Sequence, residues 1–188
     1  MTGVPDDALL LVDLQEAFLD APGLRDVRGE LVSAVSVLAE AARCAGVPIF
    51  LISTEHSRDR STWTLNMLDD DQGYLFHGDP GTQTLSELDT SGMTRIEKTR
   101  DSAWLGTDLL MRLHTLGVSR VMIAGVSAHA CITQTARDAY AHNIRATVVT
   151  DAVADERWDH RRAVFDLLVA DRQAELAHVQ ECVTRWSR

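Results

Sequence analysis

Val118-Ser119-Arg120-Val121-Met122-Ile123-Ala124, taken together with the chain from Gly125 to Thr150, decides the fold. This run is short and largely apolar, as a strand buried on both faces would be. A loop from Gly125 leads into Cys131 to His142, which reads as a helix with Thr135, Ala136, Ala139 and Tyr140 on one side. Asn143 supplies a left-handed cap, and Ile144 to Thr150 is a further strand ending at Asp151. A strand, a helix and a strand in immediate succession form a parallel crossover unit.

The same rhythm extends outward in both directions. Ala8 to Val12 and Val47 to Ile52 are continuous apolar runs, and Met93 to Ile96 is a shorter strand candidate ending near Lys98. Between the first two, Gly29 to Cys44 carries Leu31, Val32, Val35, Leu38, Ala39 and Ala42 at helical spacing, closed by Gly46. Thr107 caps a helix bearing Leu109, Leu110, Leu113 and Leu116. Asp159 caps another bearing Ala163, Val164, Leu167 and Leu168. The tail holds a short strand around Ala174 to Ala177 and a last helix. Strands alternating with helices predict an α/β fold. Its form is a three-layer, Rossmann-like, mostly parallel sheet of about six strands with helices on both faces.

Residues 53–92 break the rhythm. They hold the acidic run Asp69-Asp70-Asp71, yet Trp63, Leu65, Met67, Leu68, Tyr74, Leu75 and Phe76 call for burial. This stretch reads as a long active-site loop within a single domain spanning 1–188. The chain has 18 basic and 28 acidic residues, a formal charge of −10, which argues against a nucleic-acid partner. No apolar run is long enough to span a membrane. Met1 to Asp7 lacks the pattern of a signal peptide, and three scattered cysteines form no disulfide framework, so the expected compartment is the cytoplasm. Cys44 and Cys182 read as buried fillers.

In parallel sheets ligands bind beyond the carboxyl ends of the strands. Asp13, Ser53 to His56, Lys98 and Gly125 to Cys131 stand there. Lys98 is the sole lysine among 18 basic residues, which hints at a position that arginine cannot fill. A cysteine nucleophile needs a thiolate, a proton acceptor and donors for the oxyanion. Cys131, where a loop enters a helix, is expected to have a lowered pKa. Asp13 offers the carboxylate, and Lys98 a compact cation suited to a tight cluster.

Four segments resemble the isochorismatase-like cysteine hydrolase superfamily, which includes nicotinamidases, N-carbamoylsarcosine amidases, streptothricin hydrolases and related amidohydrolases. They are Leu11 to Phe18 with its Asp-x-Gln-x-x-Phe core, Glu97 to Leu109 around the lysine, Ala124 to Ala139 around the cysteine, and Asp151-Ala152. The resemblance covers about Ala8 to Ala154. It implies that Cys131 attacks a carbonyl to form a thioester, that Asp13 moves the proton, and that Lys98 orients Asp13 and stabilises negative charge. It implies a cis peptide at Val126–Ser127 and an oxyanion hole made by the N–H groups of Ser127 and Cys131. Gln15, Phe18, Trp104 and His129, inside or beside these motifs, and Trp63 of the long loop are the expected substrate contacts. Leu65 and Met67 join Trp63 as a cover.

Two departures narrow the expectation. The family's metal-binding members carry Asp-x-His after the second strand, where this chain has Ser53-Thr54-Glu55-His56-Ser57. His56 reads as a surface or loop residue, and no metal or other cofactor is expected. The presence of Cys131 favours hydrolysis of a C–N bond over a vinyl ether. The implied partner is a small-molecule substrate, within a homo-oligomer and with no nucleic acid or membrane. Opening of a cationic antibiotic lactam, vinyl ether hydrolysis and a catalytically silent binding module are the alternatives. The acidic run at 69–71 is either a solvated turn or a rim that attracts a cationic substrate.

Overall fold

The computed structural model describes residues 6–187. The leader expectation for Met1 to Asp7 therefore falls mostly outside the described residues. The strands are β1 (Asp7–Val12), β2 (Ile49–Thr54), β3 (Thr94–Lys98), β4 (Arg120–Gly125), β5 (Arg145–Val153) and β6 (Glu175–Ala177). They form one six-stranded sheet in the order β3-β2-β1-β4-β5-β6, and every pairing is parallel. The α-helices are α1 (Glu16–Leu19), α2 (Pro22–Arg25), α3 (Arg28–Cys44), α4 (Leu65–Asp69), α5 (Leu109–Thr115), α6 (Thr133–Ala141), α7 (Trp158–Ala170) and α8 (Val179–Trp186).

The four central strands, β1, β2, β4 and β5, are mostly buried on both sides because both sides are covered, whereas the edge strands β3 and β6 are more exposed. Successive residues of β1 point to opposite faces. Leu9 and Leu11 pack with Leu31, Val35 and Leu38 of α3 and with Cys182 and Trp186 of α8. Ala8, Leu10 and Val12 pack with Leu109 and Leu113 of α5, Ala136 and Ala139 of α6, and Phe165 and Leu168 of α7. The three layers expected from the alternation are thus present.

Strand order reverses between β1 and β4, the first strands of the two halves. That leaves a crevice at their carboxyl ends. Gly125 closes β4 there. Its φ is +121°, and a Cβ would stand 1.9 Å from the Val12 carbonyl oxygen. Only glycine lets the two strand ends approach so closely.

Element boundaries shift by a few residues from the expected ones. Thr107 accepts the Leu109 N–H at 3.3 Å but stands one residue before the helix cap, Asp108. Asp159 lies inside the first turn of α7, and the preceding Asp155 accepts the Arg157 N–H at 3.0 Å. The helix placed at Cys131 begins earlier, as a π-helical turn at Ala128–Ile132. Asn143 does take the left-handed conformation after α6, with φ +60°. Leu65, Leu116 and Leu167 are exposed, so the apolar stripes of their helices are narrower than expected. Cys182 is buried but Cys44 is exposed, which corrects its reading as a core filler. Its thiol lies on the outer side of α3 beside Glu40.

The long loop has order of its own. It contains α4 and a 3-10 turn at Pro80–Thr82, and it buries Trp63, Met67, Leu75 and Leu85. His56 bridges to Phe76, and Gln15 to Thr84. A fully buried carboxylate, Asp7, fastens the last helix to the first strand. It accepts bonds from Arg185 Nε at 2.7 Å and Trp186 Nε1 at 2.9 Å.

Candidate active site

The crevice gathers residues from three strand ends. Asp13 ends β1 in a left-handed conformation, φ +54°, which is rare for a residue with a side chain and costs about 1–3 kcal/mol. Lys98 is the last residue of β3, and Thr54, its register partner on β2, stands beside it. Cys131 sits on the π-helical turn that leads from β4 into α6. Asp13 and Lys98 are buried, and Cys131 is 8% exposed, so the sulfur is the part of the cluster nearest solvent.

The lysine ammonium has three protons to give. It donates to Thr54 Oγ1 at 2.6 Å, to the Arg100 carbonyl at 3.1 Å and to Cys131 Sγ at 3.3 Å. Asp13 Oδ1 accepts the Thr54 hydroxyl at 2.8 Å. Asp13 Oδ2 lies 2.8 Å from the ammonium nitrogen as an ion pair, yet it accepts no well-angled hydrogen bond. Asp13 is thus held on one oxygen by Thr54 and on the other by Lys98.

Ionisation follows from this packing. Burial alone pulls the Lys98 ammonium down, but the Asp13 side chain and the Cys131 sulfur beside it together offset this and hold its pKa above that of an ordinary lysine. Burial, and then the charge of Asp13, push the Cys131 thiol well up, with Lys98 opposing. Cys131 therefore rests as a thiol beside a charged lysine. This corrects the expectation of a preformed thiolate. The turn carrying Cys131 is buried, and desolvation beside a carboxylate outweighs any help from a helix end.

The Val126–Ser127 peptide is cis. Among the described residues the Ser127 N–H donates to no group, which leaves it available at the crevice.

The expected substrate contacts divide. Gln15 is fully buried and spends its amide on the backbone, donating to Thr54 O and Thr82 O at 3.0 Å and accepting from Thr54 N at 2.8 Å. Trp104 is buried in the α5–α6 core, donating Nε1 to Thr135 O at 2.8 Å. Trp63 turns into the loop's own core, donating Nε1 to Ser57 O at 3.0 Å and packing against Phe76. These three are corrections: each side chain is held by partners elsewhere along the chain, and each serves structure. Leu65 is exposed and Met67 buried, so neither joins Trp63 as a cover. Phe18 is half-buried against the α3-side core. His129 is exposed, its Nδ1 2.7 Å from Asp155 Oδ2 and its ring edge-on to His160.

Thr54, Asp101 and Tyr74 were not singled out from the sequence as pocket residues. Asp101 Oδ1 is 3.9 Å from Cys131 Sγ. Burial, more than any single neighbouring charge, pushes the Tyr74 phenol up. Thr54 belongs to the strand-end segment Ser53 to His56, and Asp101 comes three residues after the lysine. Only the folded register distinguishes them from their neighbours.

Metal-ligand chemistry fits this site poorly. His56 lies in the loop after β2, as expected, but buried there and not at the surface, with Nδ1 2.9 Å from the Thr62 carbonyl. Glu55, His77 and Glu97 bring donor atoms close together. However, Glu55 faces Nδ1 of His77 at 3.1 Å while Glu97 faces Nε2 at 3.4 Å. One ion cannot use both ring nitrogens, so the trio is a carboxylate–imidazole–carboxylate bridge.

Comparison with known proteins agrees with this architecture. The isochorismatase domain family model matches residues 7–181. A probable inactive nicotinamidase from Arabidopsis thaliana is 33% identical over 156 residues, 78% of this chain and 80% of that protein. A probable isochorismatase from Pseudomonas chlororaphis is 31% identical over 159 residues, 83% of this chain and 75% of the relative. The crystal structure of N-carbamoylsarcosine amidase from Thermoplasma acidophilum superposes with a TM-score of 0.79 at 26% identity, covering 92% of this chain and 96% of that one.

Proposed function

We propose that this chain, which belongs to the isochorismatase family, is a cysteine amidohydrolase that opens a C–N bond in a small amide, ureido or lactam substrate. One observation carries the reading. A buried Lys98–Asp13 ion pair at 2.8 Å stands against the Cys131 sulfur, which lies 3.3 Å from the same ammonium. Burying such a pair often costs stability, so its presence points to a purpose other than stability. That cost argues against a silent binding module, although one relative is called probably inactive. The cysteine argues against a vinyl ether as the bond broken.

In this reading Asp13 Oδ2 takes the thiol proton as sulfur attacks the carbonyl carbon. The oxyanion accepts the N–H groups of Ser127 and Cys131. Asp13 passes its proton to the leaving nitrogen, the C–N bond breaks, and the amine or ammonia departs from a thioester. Water then gives a proton to Asp13 and adds its hydroxide to the thioester. The C–S bond breaks, and the sulfur recovers its proton from Asp13. Lys98 keeps its charge throughout and offsets the negative charge that moves between sulfur and carboxylate. No step draws on a metal. The expected setting is the cytoplasm, with a homo-oligomeric assembly.

Ammonia or amine release over a panel of small amides tests the proposal. Cys131→Ala and Asp13→Asn should each lower kcat at least about a thousandfold while the folded protein still binds substrate. Lys98→Arg should fall about a hundredfold or more, because a planar fork cannot reach three acceptors arranged around one nitrogen. Full turnover by Cys131→Ala would sink the proposal.

A further inference from the structure

The proposed hydrolysis leaves one charge at the mouth of the site unused. Asp101 is exposed, and its Oδ1 accepts a long hydrogen bond from the nucleophilic thiol at 3.9 Å. Among the described residues no cation pairs with it. The nearby positive groups are committed elsewhere. Lys98 is buried on Thr54, Arg100 O and Cys131. Arg100 donates to the carbonyls of Thr62, Thr99 and Trp63 at 2.7, 2.6 and 3.3 Å. His129 is held by Asp155.

An attacked carbonyl carbon must come within about 3–3.5 Å of the sulfur. Its substituents then fall within reach of a carboxylate that flanks the same sulfur. A cationic substituent would make a charge-assisted hydrogen bond there. A carboxylate substituent placed there would face the Asp101 carboxylate directly.

We propose that Asp101 sets substrate charge, so that the enzyme prefers amides bearing an ammonium or similar cationic donor close to the scissile carbonyl and rejects those bearing a carboxylate there. This rests on the hydrolase reading and narrows it to a substrate class.

The test uses three amides of matched length, ending in an ammonium, a methyl or a carboxylate. In the wild-type protein kcat/KM should favour the cationic amide over the anionic one by about tenfold or more, less so at high salt. Asp101→Asn should reduce that ratio about tenfold, and Asp101→Lys should invert it. An unchanged ratio in these variants overturns the proposal. So does a uniform loss on all three amides, which would place Asp101 in the proton chemistry. If the wild-type protein hydrolyses none of them, the hydrolase reading has failed by itself. Calorimetric titration of Cys131→Ala with the same amides then decides the charge preference. Tighter binding of the cationic amide, abolished by adding Asp101→Asn, supports it, and equal binding of all three overturns it.

Discussion

At the residue scale, the site depends on how few protons a buried ammonium can distribute. Four acceptors, Thr54, Asp13, the Arg100 carbonyl and Cys131, crowd the one ammonium within 2.6–3.3 Å. The thiol is neutral at rest, and this has a pH signature. A thiol raised well above the usual range stays protonated where an exposed cysteine, with a pKa of about 8.5, is already half ionised. Alkylation of Cys131 by iodoacetamide should therefore be slow near neutrality and still rising beyond about pH 9, whereas a rate that levels off by about pH 7 would contradict the assignment. Peptide mapping separates it from exposed Cys44. Cys131, Asp13 and Lys98 were legible from the sequence because each stands at or just beyond a strand end. The ionisation state was not, since it comes from burial and from neighbours brought in by other strands. Gln15, Trp63 and Trp104 were misjudged for the same reason: their hydrogen-bond partners lie 6 to 67 residues away.

At the scale of elements, the continuous apolar runs announced the buried strands and the 3.6-residue spacing announced α3. Helix starts were less legible, because Thr107 and Asp159 are good capping residues that stand close to, but not at, the cap positions. The loop over 53–92 had no periodicity to read. It is held by distant groups, notably the Gln15 amide and the Arg100 guanidinium, and not by its own pattern. The junction of β1 and β4 is the least tolerant point of the site's scaffold. A Gly125→Ala variant would force a Cβ to within 1.9 Å of the Val12 oxygen at a φ of +121°. Overpacking and backbone strain together should cost roughly 2–6 kcal/mol, seen as a lower urea midpoint. A loss below about 1 kcal/mol would show that the two strand ends need not stay so close.

At the scale of the whole molecule, the sheet order carries the functional argument. Chain reversal between β1 and β4 opens the crevice, and β2 and β3 extend beside β1 so that Thr54 and Lys98 reach its end. The alternation of strands and helices made the layers legible, but not the spatial order of the strands, which depends on which crossovers fold back. Asp7, gripped by Arg185 and Trp186, closes the two ends of the described chain on each other, a long-range contact with no local signature. The formal charge of −10 suits a surface that draws in cations, in keeping with Asp101 at the mouth. The central claim is that Cys131 becomes acylated during turnover. Rapid acid quenching of the enzyme with an amide it hydrolyses, then intact-mass and peptide mass spectrometry, tests this most directly. The account predicts a mass increase equal to the acyl group, confined to the Cys131 peptide and absent from Cys131→Ala. Undiminished product release by that variant, with no adduct on the wild-type protein, would contradict it.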